Sequence, residues 1–165
     1  MNKNPNILFI MTDQQHATMM SCAGNQQLQT PAMDQLAQDG IRFEKAYCTN
    51  PVCVASRTSM ATGMMPGRLG ANDNGPGMEI RDLPGEVDKQ SLGKMVKAAG
   101  YDTYYGGKVH MCEALHPEKA GYDEYFPNDR EALPAACLEF IRKERDRPFF
   151  AVASFINPHD ICFAH

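Results

Sequence analysis

The chain has 165 residues, 43% of them hydrophobic and 22% charged, with no tryptophan, which suits one globular domain with its own core. Twenty acidic against sixteen basic residues give a net charge of −4 and no basic block, so a nucleic-acid partner is not expected. No run approaches the roughly 18 apolar residues of a membrane span, which excludes a membrane-spanning role for any stretch read here.

The opening stretch, "MNKNPNILFIMTDQQ", holds a short apolar run and lacks a small-residue cleavage site. It reads as a strand rather than a signal peptide. A cytoplasmic location is expected on that basis, or a periplasmic one if a leader was removed. Asn6 to Met11 is nearly all apolar, the pattern of a strand buried on both faces of a parallel sheet. Asp13 and Gln14 follow at its C-terminal end, where ligands bind in open α/β sheets.

Thr30-Pro31 then starts a helix, with Thr30 as N-cap, Met33, Leu36 and Ala37 as its apolar stripe and Gly40 as its stop. Residues 41–47, "IRFEKAY", alternate and predict a short strand. A helix over 56–62 closes at Gly63, with Cys53 just before its start. Residues 63–90 are rich in Gly, Pro, Asn and Asp and predict long irregular structure. A helix over 91–99 turns Leu92, Met95 and Val96 inward and ends at Gly100. Tyr101 to Tyr105 is a strand, followed by Gly106-Gly107-Lys108-Val109-His110. A helix within 131–143 carries Leu133, Ala136, Cys137, Phe140 and Ile141, and its Pro134 belongs in the first turn. Phe149 to Phe155 is a second buried strand, followed by Asn157-Pro158-His159-Asp160. Strands alternating with helices predict an α/β layered fold, a mostly parallel sheet flanked by helices.

Polar residues collect just past the strand ends. Asp13-Gln14 pairs a carboxylate with an amide oxygen, the donors a hard cation takes, although a plain polar turn looks the same. Lys108 and His110 stand two apart, and in an extended segment they face one side. Lysine beside imidazole suits an anionic substrate, one neutralising charge and the other moving protons. His159 is a weaker signal by itself. Six cysteines, at 22, 48, 53, 112, 137 and 162, include no CxxC pair. They read as reduced thiols, several of them packed, rather than as disulfides or a zinc site. Cys53 differs from the rest. The start of a helix favours negative charge, and Arg57 lies one turn on.

Taken together these segments resemble the N-terminal half of the type I sulfatases of the alkaline phosphatase-like superfamily. "NILFIMTDQQ" resembles the family's first strand and metal-binding aspartate. "PVCVASRTSMATGMMPGRLG" resembles the sulfatase signature, Cys-x-Pro-Ser-Arg and a TG turn. "GKVH" and "FINPHD" resemble its Gly-Lys-x-His and Pro-His motifs. The resemblance implies that Cys53 is converted to Cα-formylglycine, whose hydrate attacks the sulfur of a sulfate ester and later expels sulfate. It also implies that Asp13, Gln14 and the modified Cys53 hold a divalent metal, Ca²⁺. Arg57 would hold the nucleophile, Lys108 and His110 the sulfate oxygens and a proton, and His159 the sulfate and leaving group. The implied partners are a sulfated small molecule or glycan and a formylglycine-generating maturase.

Two positions depart from the family pattern. Gln14 stands where many members carry a second aspartate, which weakens cation binding or shifts metal preference. Ala55 replaces the signature proline, which points to the radical-type anaerobic maturase and an anaerobic bacterial host. Family members are much longer, and their second metal-ligand pair and C-terminal subdomain fall beyond His165. Residues 1–165 are therefore expected to be the N-terminal part of a sulfatase catalytic domain, with little activity alone. A phosphonate monoester or phosphodiester hydrolase of the same superfamily and a non-catalytic anion- or glycan-binding fragment are the alternatives.

Overall fold

The computed structural model describes residues 4–75, 83 and 87–163. Four strands, β1 (Ile7–Asp13), β2 (Asp102–Gly107), β3 (Glu124–Phe126) and β4 (Phe149–Pro158), form one sheet in the order β1-β4-β2-β3. Every neighbouring pair is parallel. Parallel neighbours need crossovers, and helices supply them: α1 (Pro31–Asp39), α2 (Cys53–Thr62), the single turn α3 (Pro66–Leu69), α4 (Leu92–Ala98) and α5 (Leu133–Arg142). This is the predicted α/β layered architecture.

The two-residue period of the strands sorts side chains into two cores. Tyr105, Phe150 and Val152 pack on one face with Tyr101, Met111, Cys112 and Leu115, against Leu92 and Val96 of α4 and Ala61 of α2. Tyr104, Phe149, Ala151 and Ala153 point the other way, onto Leu133, Cys137 and Phe140 of α5. The tyrosine ring of 104 stacks on Phe140 with centroids 4.7 Å apart.

The two halves of the chain differ in burial. β2 is buried almost throughout, as are the first six residues of β4. β1 occupies an edge, and Ile7, Leu8, Phe9 and Ile10 are 37–50% exposed. Burial of this strand on both faces, which its apolar run predicts, is therefore not found, because β4 is its only strand neighbour among the described residues. Residues 41–47 form no strand. Ile41, Phe43 and Tyr47 stand more than three-quarters exposed, with no strand beside them to complete a ladder. In α1 no residue is buried and Leu36 is exposed, and Met95 of α4 points to solvent, so both stripes are only partly used. α2 begins at Cys53, three residues before its predicted start. Strand β3 carried no alternation signal, and α3 interrupts the stretch read as irregular. A 3-10 turn over Val87–Gln90 ends that stretch, and its residues 76–82 and 84–86 lie outside the described residues. No helix among the described residues is long and apolar enough to cross a membrane.

Candidate active site

The order β1-β4-β2 places three strand ends side by side, and each ends in a polar residue. Asp13 closes β1, Lys108 follows β2, and His159 follows β4. α2 delivers the fourth element. Val52 is extended before it, so Cys53 becomes the first helical residue and sits at the positive end of the helix dipole. Arg57 falls one turn further, 5% exposed. Asn74, from the loop after α3, accepts the Val54 backbone N–H at 3.2 Å through Oδ1 and so holds this helix end in place.

Asp13 is the hub. Its Oδ2 takes Arg57 Nη2 at 2.8 Å and Lys108 Nζ at 2.9 Å. Its Oδ1 lies 3.8 Å from Cys53 Sγ, and Lys108 Nζ donates toward the same sulfur at 3.6 Å. One donor atom each from Asp13, Cys53 and His159 lie within 4.8 Å of one another. Burial pushes the Asp13 carboxyl up, but the hydrogen bonds and charges of Lys108 and Arg57 outweigh it and hold the carboxyl below its ordinary range. Burial first, then Lys108 and Arg57, hold His110 below the usual imidazole value, with Asp13 pulling the other way. Asp13, Gln14, Cys53, Arg57 and His159 line a cleft of about 670 Å³.

Most of the residues singled out in the sequence thus converge: Asp13, Cys53, Arg57, Lys108 and His159 directly, and His110 through its charge coupling to the group. Two details differ from expectation. Residues 108–110 do not continue as an extended segment, since His110 takes φ +45°. Its Nε2 is buried and has no hydrogen-bond partner among the described residues. Gln14, at φ +60°, turns its amide to Cys162, with Nε2 3.5 Å from Sγ. None of the six cysteines is in a disulfide, and Cys48 is exposed.

A hard divalent cation suits this site in kind but only in part. Ca²⁺ takes six to eight oxygens. Asp13 Oδ1 faces the cleft, and Gln14 Oε1 would join it by turning from Cys162. The described residues therefore fit one side of such a shell.

Sequence reading missed Tyr105 and Ser154. Both reach the carbonyl oxygen of Lys108, at 2.7 Å each. The available signal was a lone hydroxyl within the apolar run "FFAVASF".

The family model described as Sulfatase matches residues 5–164. The uncharacterized sulfatase YidJ of Escherichia coli is 39% identical over 111 residues, covering 66% of this chain and 20% of that protein. N-acetylglucosamine-6-O-sulfatase of Bacteroides thetaiotaomicron is 36% identical over 123 residues, covering 74% of this chain and 20% of that protein. The solved structure of BT4656 with its substrate D-glucosamine-2-N,6-O-disulfate superposes with a TM-score of 0.78 at 28% identity, over 95% of this chain and 35% of that one. The chain thus spans about a fifth to a third of the length of the curated relatives it matches. Matched along nearly its whole length and built on the same fold, with the signature cysteine opening a helix beside its arginine, this chain belongs to the sulfatase family.

Proposed function

We propose that this chain supplies the nucleophile side of a sulfatase active site, in a protein that hydrolyses sulfate esters through a formylglycine made from Cys53. The carrying observation is the placement of Cys53 at a helix start, within 4 Å of both the Asp13 carboxylate and the Lys108 ammonium, in a cleft at the strand ends. With Asp13 as the anion, Arg57 and Lys108 as cations and the uncharged formylglycine in place of the Cys53 thiol, the cluster carries a net positive charge. That excess suits a sulfate group and the charge that builds on its oxygens during transfer.

Each side chain has a task in this reading. Arg57 holds the nucleophile and its charge, and Lys108 neutralises the ester's anionic oxygens. His110, kept neutral, takes or returns a proton at its buried Nε2. His159, at the end of β4, serves the leaving oxygen. Asp13 through Oδ1 and Gln14 through Oε1 are the residues that would hold a divalent cation, Ca²⁺, which when bound polarises the nucleophile and the sulfate. The names of the two glucosamine-sulfate relatives favour a sulfated glycan as substrate. Ala55 favours the radical-type maturase as modifying partner. Residues 1–165 are read as one part of the catalytic domain, with slow turnover by itself.

The test is peptide mass spectrometry across Cys53 after coexpression with a radical-type maturase. Conversion of the –CH₂SH group to –CHO is expected, together with para-nitrophenyl sulfate turnover by the full-length protein that Cys53→Ala abolishes. An unmodified thiol in protein from the native host, or preference for the matched aryl phosphonate, defeats the reading.

A further inference from the structure

Lys108 is gripped through its backbone as well as its side chain. Its carbonyl oxygen receives Arg57 Nη1 at 2.8 Å, Tyr105 Oη at 2.7 Å and Ser154 Oγ at 2.7 Å. Its N–H donates to the Ser154 backbone carbonyl at 2.9 Å. The Ser154 hydroxyl also accepts from Arg57 Nη1 at 2.8 Å. Ser154 therefore bonds the backbone N–H and C=O of Lys108 and the guanidinium at once, and it is fully buried. The close approach depends on Gly107, where an added Cβ would meet the Ser154 oxygen at 2.1 Å.

We infer that Ser154, seconded by Tyr105, is a positioning residue that sets where the two cations stand around Cys53. A serine that only fills space would be replaced by alanine without consequence for the field in the cleft. Here the hydroxyl is donor to Lys108 and acceptor from Arg57 together, so its loss frees one guanidinium N–H in a buried site and unpins one side of the Lys108 peptide. The guanidinium and the ammonium share Asp13 Oδ2, so a shift of either cation moves the other. The assignment rests on reading this cleft as an anion seat, and the test separates the two.

The unmodified chain offers a direct probe of that field. Iodoacetate and iodoacetamide alkylate a thiolate by the same step, in which sulfur displaces iodide. They differ in that one is an anion. The ratio of their rates at Cys53, read peptide by peptide, cancels the amount of thiolate and reports the local positive charge. Moving one unit charge from about 4 to about 6 Å changes this ratio about threefold at an effective dielectric of about 40. Ser154→Ala is expected to lower it about threefold or more, toward the value of Lys108→Met, and Tyr105→Phe is expected to lower it less. Protection of buried Cys112 and Cys137 in the same digests shows that each variant is folded. If Ser154→Ala exposes them, Tyr105→Phe decides. A ratio that falls in Lys108→Met but stays at the wild-type value in the folded Ser154 and Tyr105 variants overturns the assignment. A ratio that Lys108→Met leaves unmoved removes the anion seat itself, and this inference with it.

Discussion

Asp13→Asn keeps the shape of the hub and removes its charge. Arg57 and Lys108 would then face each other across a neutral amide, both more than nine-tenths buried. At the separations seen, 2.8 and 2.9 Å, each pair attracts by about 6 kcal/mol at an effective dielectric of about 20. Desolvation of three charges offsets most of that sum. What the substitution exposes is the cost of two buried cations without their anion, about 3–5 kcal/mol. Set against the roughly 5–15 kcal/mol that stabilises a typical domain, this is a large fraction. Equilibrium urea unfolding followed by circular dichroism measures it, read as a lower midpoint at constant slope. The double variant Asp13→Asn/Lys108→Met should recover about 1–3 kcal/mol, because one orphaned cation is gone. A loss below about 1 kcal/mol in the single variant, or no recovery in the double, would refute the picture of Asp13 as a buried electrostatic hub.

Gly107→Ala combines a positive φ of +95° with a Cβ that collides with the Ser154 carbonyl, so a loss of about 3 kcal/mol or more is expected in thermal melts, and a neutral result would contradict the close packing of β2 on β4. Leu133→Ala empties a site with no solvent exposure between α5 and the sheet and should cost about 2–5 kcal/mol in the same assay; a loss under about 1 kcal/mol would mean that the core on this face collapses around the gap. Because His110 is held below the usual imidazole value, the folded chain binds fewer protons there than the unfolded chain. Its contribution to stability is thus complete above the ordinary value of 6.5 and is lost as pH falls through that value toward the folded one. An NMR titration of the His110 ring should show a midpoint below 6.5, and a midpoint above it would invert the sign.

The site was legible for a chemical reason. Chemistry at strand ends needs particular side chains at particular turns, and those turns are local. Asp13 after "NILFIM", Lys108 after Gly-Gly and His159 after a proline each lie next to the strand that places them. The segments that misled did so where burial depends on neighbours. The alternation of "IRFEKAY" is a pattern that a strand permits, yet it produces no strand without a partner edge. The apolar run of β1 is that of a central strand, yet an edge position with β4 on one side leaves it half exposed. Three-residue β3 owes its existence to the ladder with Tyr104, Tyr105 and Gly106, which no local pattern announces.

Residue order by itself determined the alternating α/β build, the helix start at the signature cysteine to within one turn, and the set of polar residues that stand at the strand ends. These follow from short-range propensity, capping and hydrophobic period. Tertiary structure alone decided the strand order β1-β4-β2-β3, and with it the meeting of Asp13, Lys108 and His159 across three adjacent strand ends. It also decided that one carboxylate serves two cations, and that Ser154, an inconspicuous hydroxyl in an apolar strand, ties Lys108 to Arg57 across 46 and 97 residues of chain. Contacts at such separations arise from packing geometry, which the covalent sequence constrains but does not display.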